Sequence, residues 1–238
     1  MITLITTTGS RSDCFALCER YIARQSYTGP VQWIVVCDNW QNPTKCTMNQ
    51  EFIKGPTEWK PNINTQRENM RSAISKIKGD LIFVAEDDDF YASNYLETYI
   101  DLLKYVDIIG EGNAKYYNIA IPGWKEMKNT TSSSLSQTGF RKSMLPMFEK
   151  AVESGHFYFD IELWREVKDK NIPNIILNNS GLSIGIKGMP GREGLTGSHR
   201  EKRDYFYDGN LIKLKEWIGD DIENYLPYIK NGSFKKAS

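Results

Sequence analysis

The sequence predicts an α/β fold of the Rossmann type, a mixed sheet flanked by helices. Three observations predict it. Short apolar runs, Ile2 to Thr6, Val31 to Val36 and Leu81 to Ala85, recur along the first half of the chain. Segments of helical spacing separate them, and each run ends in polar residues suited to a loop. Continuous apolar strands alternating with helices are the pattern of βαβ units, whose parallel sheet is covered on both faces.

The elements follow in order. Ile2 to Thr6 is strand one, running into Thr7-Thr8-Gly9-Ser10-Arg11. Ser12 and Asp13 are candidate N-caps, and Phe15, Cys18, Tyr21 and Ile22 recur at helical spacing, so Asp13 to Gln25 is a helix. Tyr27-Thr28-Gly29-Pro30 is a turn before strand Val31 to Val36. Trp40 to Asn62 shows no periodicity and reads as a connection. Thr65 to Lys78 carries Met70, Ala73, Ile74 and Ile77 on one helical face and stops at Gly79-Asp80. Leu81 to Ala85 is a buried strand, Asn94 to Tyr105 a helix, and Asp107 to Gly110 the start of another strand. Beyond Asn113 strand and turn signals dominate: Tyr116 to Ala120 and Thr131 to Arg141 read as sheet, with Pro122-Gly123 between them. Met144 to Glu153 and Asp160 to Asp169 are helices, and Ile184 to Pro190 is a strand entering the glycine-rich loop 191–197. Leu211 to Trp217 and Ile222 to Ile229 are expected as terminal helices. With no internal repeat and no linker, residues 1–238 are expected as one domain, a ligand-binding half at 1–110 and a second half at 111–238.

Composition narrows the classes. The 238 residues are 40% hydrophobic and 25% charged, which is globular composition. Thirty basic residues balance thirty acidic ones, which argues against binding nucleic acid by bulk charge but leaves room for a local basic patch. No apolar run approaches the roughly 20 residues of a membrane span. The N-terminus lacks the basic and apolar regions of a signal peptide. Four cysteines without a C-x-x-C pair, and two histidines, do not make a zinc site. The expectation is a cytoplasmic protein with reduced thiols.

The sharpest feature is Glu86-Asp87-Asp88-Asp89 at the end of a buried strand. Adjacent carboxylates repel one another and call for a cation, and hard oxygen ligands suit Mg²⁺ or Mn²⁺ with a substrate phosphate. A solvated acidic turn capping the next helix would need one carboxylate, not four. The loop Thr6 to Arg11 and Asp38 fall on the same sheet edge, where open α/β sheets bind ligands. Hydroxyls, amides and a carboxylate suit a base and a ribose, and Arg11 a diphosphate. Neither a P-loop nor a G-x-G-x-x-G motif is present.

These residues in this order resemble family 2 glycosyltransferases with the GT-A fold. The likeness rests on Thr6-Thr7-Thr8-Gly9, Ile34 to Asn39, Gln66-x-x-Asn69 before Gly79-Asp80, and Phe83 to Asp89, and it covers about the first 110 residues well. The resemblance implies a GT-A-like domain similar to small stand-alone members from bacteria and phages, with a UDP-sugar as expected donor. It implies donor contacts from Thr6, Thr8, Gly9, Arg11, Asp38, Gln66, Asn69, Glu86, Asp87 and Arg192. Asp88 and Asp89, with His199, are the implied metal ligands for Mn²⁺ or Mg²⁺, while the choice among Asp87, Asp88 and Asp89 stays open. Glu86 replaces the first Asp of the family's D-x-D-D motif, and Cys37 stands where an Asp is common, leaving Asp38 alone for the base.

Downstream, Phe159-Asp160-Ile161-Glu162 resembles the family's E-D segment, with Phe159 in place of the Glu. Asp160 is then the implied general base on an acceptor hydroxyl, giving inversion at the sugar C1, with Glu162 in reserve. The loop from Gly188 to Arg200 is expected to close over the donor and exclude water. Two acceptors fit: a glycan or lipid-linked sugar, for which Lys115, Tyr116, Tyr117, Trp124 and Lys125 offer a lining, and a 5-hydroxymethylpyrimidine in DNA. For DNA, the run Lys187, Arg192, Arg200, Lys202 and Arg203 with Tyr205 and Tyr207 is basic and aromatic. The alternatives are a nucleotide- or cation-binding module without catalysis, or a nucleotidyltransferase. Oligomeric state is not readable from the sequence.

Overall fold

The computed structural model describes residues 1–9, 11–60, 63–191 and 205–229. Its centre is β1 (Ile2–Thr8), whose parallel neighbours are β2 (Val31–Cys37) on one side and β4 (Leu81–Val84) on the other. β3 (Gln50–Lys54) closes the β2 side. On the β4 side lie β9 (Thr138–Arg141), antiparallel to its neighbours, then β6 (Ile108–Gly112) and the edge strand β10 (Asn174–Asn178). The seven-stranded order is β10-β6-β9-β4-β1-β2-β3. A second sheet has the order β12-β8-β7-β11-β5, made by β5 (Phe90–Tyr91), β7 (Lys115–Asn118), β8 (Gly123–Glu126), β11 (Ser183–Lys187) and β12 (Phe206–Tyr207).

The apolar strands bury both faces because successive side chains point to opposite sides. Leu4, Trp33, Val35 and Phe83 join α1 (Ser12–Ala23), α3 (Tyr95–Leu102) and the small sheet in one core. Ile5, Ile34, Val36, Ile82 and Val84 face the other core, with α2 (Gln66–Ile74), α4 (Leu145–Glu153) and α5 (Phe159–Asp169). A last helix, α6 (Ile212–Ile218), returns to the first core through Leu214 and Ile218. No helix of the described residues is long and apolar enough to cross a membrane.

Several expectations change. The segment from Trp40 to Asn62 contains β3, an edge strand whose half-exposed residues show no clean alternation. β8, β10 and β12 were also unforeseen, each four, five and two residues long. Within 131–141 only β9 is strand: Leu135–Gln137 is a 3₁₀ turn, because Ser133 Oγ donates to the Gln137 carbonyl and Thr138 Oγ1 to the Ser134 carbonyl in place of ladder bonds. α2 ends at Ile74, and its last turn tightens toward Lys78, whose N–H is taken by Gln32 Oε1 at 2.9 Å. Ser12 lies inside α1 rather than capping it; Arg11 holds the cap position. The expected helix over 222–229 is instead two 3₁₀ turns, Gly219–Asn224 and Leu226–Tyr228, the second with Pro227, which has no N–H to donate, in its first two positions.

Candidate active site

From β1 the chain moves outward to β2 and β3, then crosses back to β4 on the other side of β1. The loops after β1 and β4 therefore diverge at one edge and leave a crevice between them, the usual ligand position in such sheets. Thr8, Gly9, Arg11 and the acidic run 86–89 meet there.

The four carboxylates face two cations. Thr8 Oγ1 donates to Asp87 Oδ2 at 2.7 Å. Arg11 Nη2 lies 2.5 Å from Asp87 Oδ1 and 2.9 Å from Asp88 Oδ2. Lys187, the last residue of β11, places Nζ 3.3 Å from Glu86 Oε2, 3.4 Å from Asp88 Oδ1 and 3.0 Å from Asp89 Oδ1. Ser136 Oγ at 2.8 Å and the Ile186 N–H at 3.1 Å donate to the two oxygens of Asp89. β11 is brought here by its antiparallel pairing with β5, which leaves the acidic run directly.

The environment separates these acids. Burial pushes the Asp89 carboxyl up to about 7, against the pull of Lys187 and with help from Glu86 and Asp88. Burial also raises Glu86, although Lys187 opposes it. At Asp88 burial acts upward too, but Arg11 and Lys187 outweigh it and hold the group below its ordinary value. Glu86, Asp88 and Asp89 offer oxygens within 4.8 Å of one another, so they could hold a cation. Hard carboxylate oxygens fit Mg²⁺ or Mn²⁺. Arg11 Nε is buried and has no hydrogen-bond partner among the described residues.

A second, buried polar cluster forms after β2. Asp38 is fully buried, and its Oδ2 accepts from Thr65 Oγ1 at 2.5 Å and Asn69 Nδ2 at 2.8 Å. Asn69 Oδ1 is buried without a partner among the described residues. Gly55 lies against it: a Cβ there would come within 2.7 Å of Asn69 Oδ1 and 3.2 Å of the Asp38 Cα. Trp40 stands at the rim, donating through Nε1 to the Gly55 carbonyl at 2.9 Å, with Lys54 Nζ 4.2 Å from its ring centre. Cys37 Sγ donates to the Asn39 carbonyl at 3.8 Å, so the neighbour of Asp38 is a buried thiol rather than a second acid.

The third part is the first turn of α5. Asp160 Oδ1 accepts from the Ile161 N–H at 3.0 Å, and the Leu135 N–H also reaches the carboxylate. Burial raises Asp160 above its ordinary value, with these amides and His156 pulling the other way. The 3₁₀ turn Leu135–Gln137 thus touches Asp160 through Leu135 and Asp89 through Ser136. Glu162 is engaged elsewhere, 2.8 Å from Arg165 Nη1. Phe157 and Tyr158, exposed at 51% and 43%, stand just before Asp160 with ring centres 4.7 Å apart.

The structure therefore gathers Thr8, Gly9, Arg11, Glu86, Asp87, Asp88 and Asp89 at one crevice and joins Asp38 to Asn69. Thr6 is not brought in, because its Oγ1 accepts from Trp33 Nε1 at 3.0 Å inside the core. Gln66 opens α2, its N–H held by Asn64 Oδ1 at 3.0 Å, and it is the Asn69 amide that donates to Asp38. Arg192 and His199, with Arg200, Lys202 and Arg203, lie outside the described residues. Lys187, read from sequence as part of a basic surface run, is an inward-facing partner of the acids, its side chain 12% exposed. Ser136 and Gly55 are site residues that the sequence reading missed, and Lys187 was placed there in another role; an apolar strand ending in a lone lysine before Gly188 was the available cue for the latter.

No family model matches the sequence, and no curated protein matches it either. Solved structures do match. The mannosyltransferase PcManGT from Pyrobaculum calidifontis, in complex with GDP-Man and Mn²⁺, superposes with a TM-score of 0.52 at 11% identity, over 81% of this chain and 58% of that one. S. aureus TarS gives 0.54 at 12% identity, over 78% of this chain and 36% of that one. TarS 1–349 in complex with UDP gives 0.54 at 13% identity, over 78% and 60%. This chain thus spans between 36% and 60% of the length of these structures. The likeness defines the class of fold, a mixed α/β sheet flanked by helices and similar to that of GT-A glycosyltransferases.

Proposed function

We propose that the protein is an inverting glycosyltransferase that takes a nucleotide-diphosphate sugar, a UDP-sugar, and transfers the sugar to an acceptor hydroxyl. The observation that carries this reading is a pair of buried polar atoms at one sheet edge, two of the five that lack a partner among the described residues: Arg11 Nε, a donor, and Asn69 Oδ1, an acceptor. Buried polar groups without partners are rare in folded proteins. A phosphate oxygen would satisfy the first and a base N–H the second. The fold supports the same reading, since PcManGT and TarS share it and their complexes carry GDP-Man and UDP.

Glu86, Asp88 and Asp89 would hold a divalent ion, Mn²⁺ or Mg²⁺. When bound, that ion supplies positive charge to the departing diphosphate. Asp38 and Asn69 orient the base, Thr8 fixes Asp87 toward the ribose, and Arg11 faces the phosphates. Asp160 accepts the acceptor's proton as its oxygen attacks C1. The C1–O bond to the diphosphate breaks, and the nucleoside diphosphate leaves with that electron pair. A carboxylate raised by burial is suited to this, because it binds the proton more readily than an exposed one. The exposed rings of Phe157 and Tyr158 border Asp160 and suit stacking on a sugar, which favours a glycan acceptor.

Calorimetry with UDP and with GDP, each with and without Mn²⁺, tests the donor site. The expected result is metal-dependent binding of UDP that Asp88→Asn abolishes. Binding of neither nucleotide would overturn the reading and favour a module without transferase activity. Binding of UDP with no transfer to glycans, but transfer to hydroxymethylated duplex DNA, would reassign the acceptor. Metal-dependent attachment of a whole nucleotide would mark a nucleotidyltransferase instead.

A further inference from the structure

We propose that Lys187 is the resident counter-ion of the donor site. Its ammonium holds the position among Glu86, Asp88 and Asp89 until a divalent cation takes those carboxylates, and the released side chain then pairs with the donor diphosphate. This deepens the donor-site reading above and rests on it. Glu86, Asp88 and Asp89 each offer an oxygen within 4.8 Å of the others, and each also has an oxygen 3.0 to 3.4 Å from the one Nζ. An ammonium at that point competes directly with any metal ligated by the same atoms.

Charge supplies the reason for the exchange. Four carboxylates against Arg11 and Lys187 leave the cluster with an excess of two negative charges when all are ionised. Arg11 is already committed to Asp87 and Asp88. A diphosphate entering that field would be repelled over a few ångströms in a poorly screened crevice. Exchange of Lys187 for a dication changes the balance twice: the carboxylates are neutralised, and a mobile cation becomes available to phosphate. Lysine suits this role because its compact charge sits on a flexible four-carbon stem. The backbone that carries it is fixed by pairing of Lys187 with Asn118 and by the turn at Gly188, which has φ +84°. Only the side chain has to move.

The test measures Mn²⁺ alone, by the free-ion electron paramagnetic resonance signal, on the wild-type chain and on Lys187→Met, Lys187→Gln and Lys187→Arg, each with and without UDP. The wild type is expected to bind Mn²⁺ weakly by itself and at least tenfold more tightly with UDP. Lys187→Met and Lys187→Gln are expected to bind Mn²⁺ alone at least tenfold more tightly than the wild type and to gain less from UDP. Lys187→Arg should resemble the wild type. The melting temperature of Lys187→Met and Lys187→Gln should rise with Mn²⁺ far more than that of the wild type, as ligand linkage requires. A variant that folds only with Mn²⁺ supports the proposal in the same way. If both neutral variants bind Mn²⁺ no more tightly than the wild type while Asp88→Asn abolishes binding, this inference fails and the donor site stands. If no chain binds Mn²⁺ with or without UDP, both fail.

Discussion

Asp89 Oδ1 accepts at 3.0 Å from Lys187 Nζ and at 3.1 Å from the N–H of Ile186, so one carboxylate oxygen binds both the side chain and the backbone of a strand almost a hundred residues away. Its other oxygen takes Ser136. Asp89 thus ties the large sheet, the small sheet and the turn that reaches Asp160. The following substitutions probe the site and the scaffold around it.

Asp160→Asn should reduce transfer by about 10²- to 10⁴-fold, the usual worth of a general base, with UDP affinity unchanged by calorimetry. In the wild type, transfer should fall with decreasing pH at a higher pH than for an exposed carboxylate, because burial raises Asp160. The stability effect has the opposite sense. A raised carboxyl favours the folded state below the ordinary aspartate pKa near 3.9, and that contribution is lost as pH rises through the folded value. Asp160→Asn should therefore be slightly more stable than wild type at pH 8 in urea unfolding.

Gly55→Ala should weaken UDP binding and lower the melting temperature, since overpacking a buried site costs about 1–3 kcal/mol. The added Cβ would meet Asn69 Oδ1 at 2.7 Å and crowd Asp38, disturbing the base pocket. An unchanged dissociation constant would separate this pocket from the nucleotide.

Gly188→Ala should destabilise the chain by about 1–3 kcal/mol, as a left-handed position and a steric clash together imply. Its φ is +84°, and a Cβ would lie 2.5 Å from Asn118 Oδ1 and 2.8 Å from the Ala120 Cβ. Since Lys187 precedes it, the same variant should lose nucleotide binding; chemical denaturation and calorimetry report the two effects.

Glu111→Ala should cost about 2–4 kcal/mol, from buried hydrogen-bonding groups left without partners. Glu111 is 3% exposed and accepts from Ser180 Oγ, from Ser183 Oγ at 2.5 Å and from the Leu182 N–H at 3.0 Å. Glu111, in β6, holds the start of β11, so an unfolding curve no less stable than wild type would show that β11 is held by its strand pairing alone.

The first half of the fold was legible because its strands are buried on both faces and its helices keep a regular apolar period, as in Phe15, Cys18, Tyr21 and Ile22. The second half was harder. Its β7, β8, β10 and β12 are short, partly exposed or at a sheet edge, and serine and threonine hydroxyls replace backbone pairing around Leu135. At the site the contiguous pieces were readable: the threonine loop and the acidic run each sit at one strand end. What required the structure was partnership across distance. Nothing local to Thr6 reveals that Trp33 claims its hydroxyl, and nothing local to Lys187 reveals that it turns inward to Glu86, Asp88 and Asp89.

The pairing of β5 with β11 bears on how the chain can be rebuilt. A chimera that joins residues 1–110 of one relative to 111–238 of another would divorce the acidic run from its lysine. The two segments, Glu86 to Tyr91 and Ser183 to Lys187, form one unit in space although the sequence writes them apart. Recombination breakpoints that keep them together preserve the pairing, and those that split them leave the acidic run compensated only where the incoming segment also places a cation at the position of Lys187.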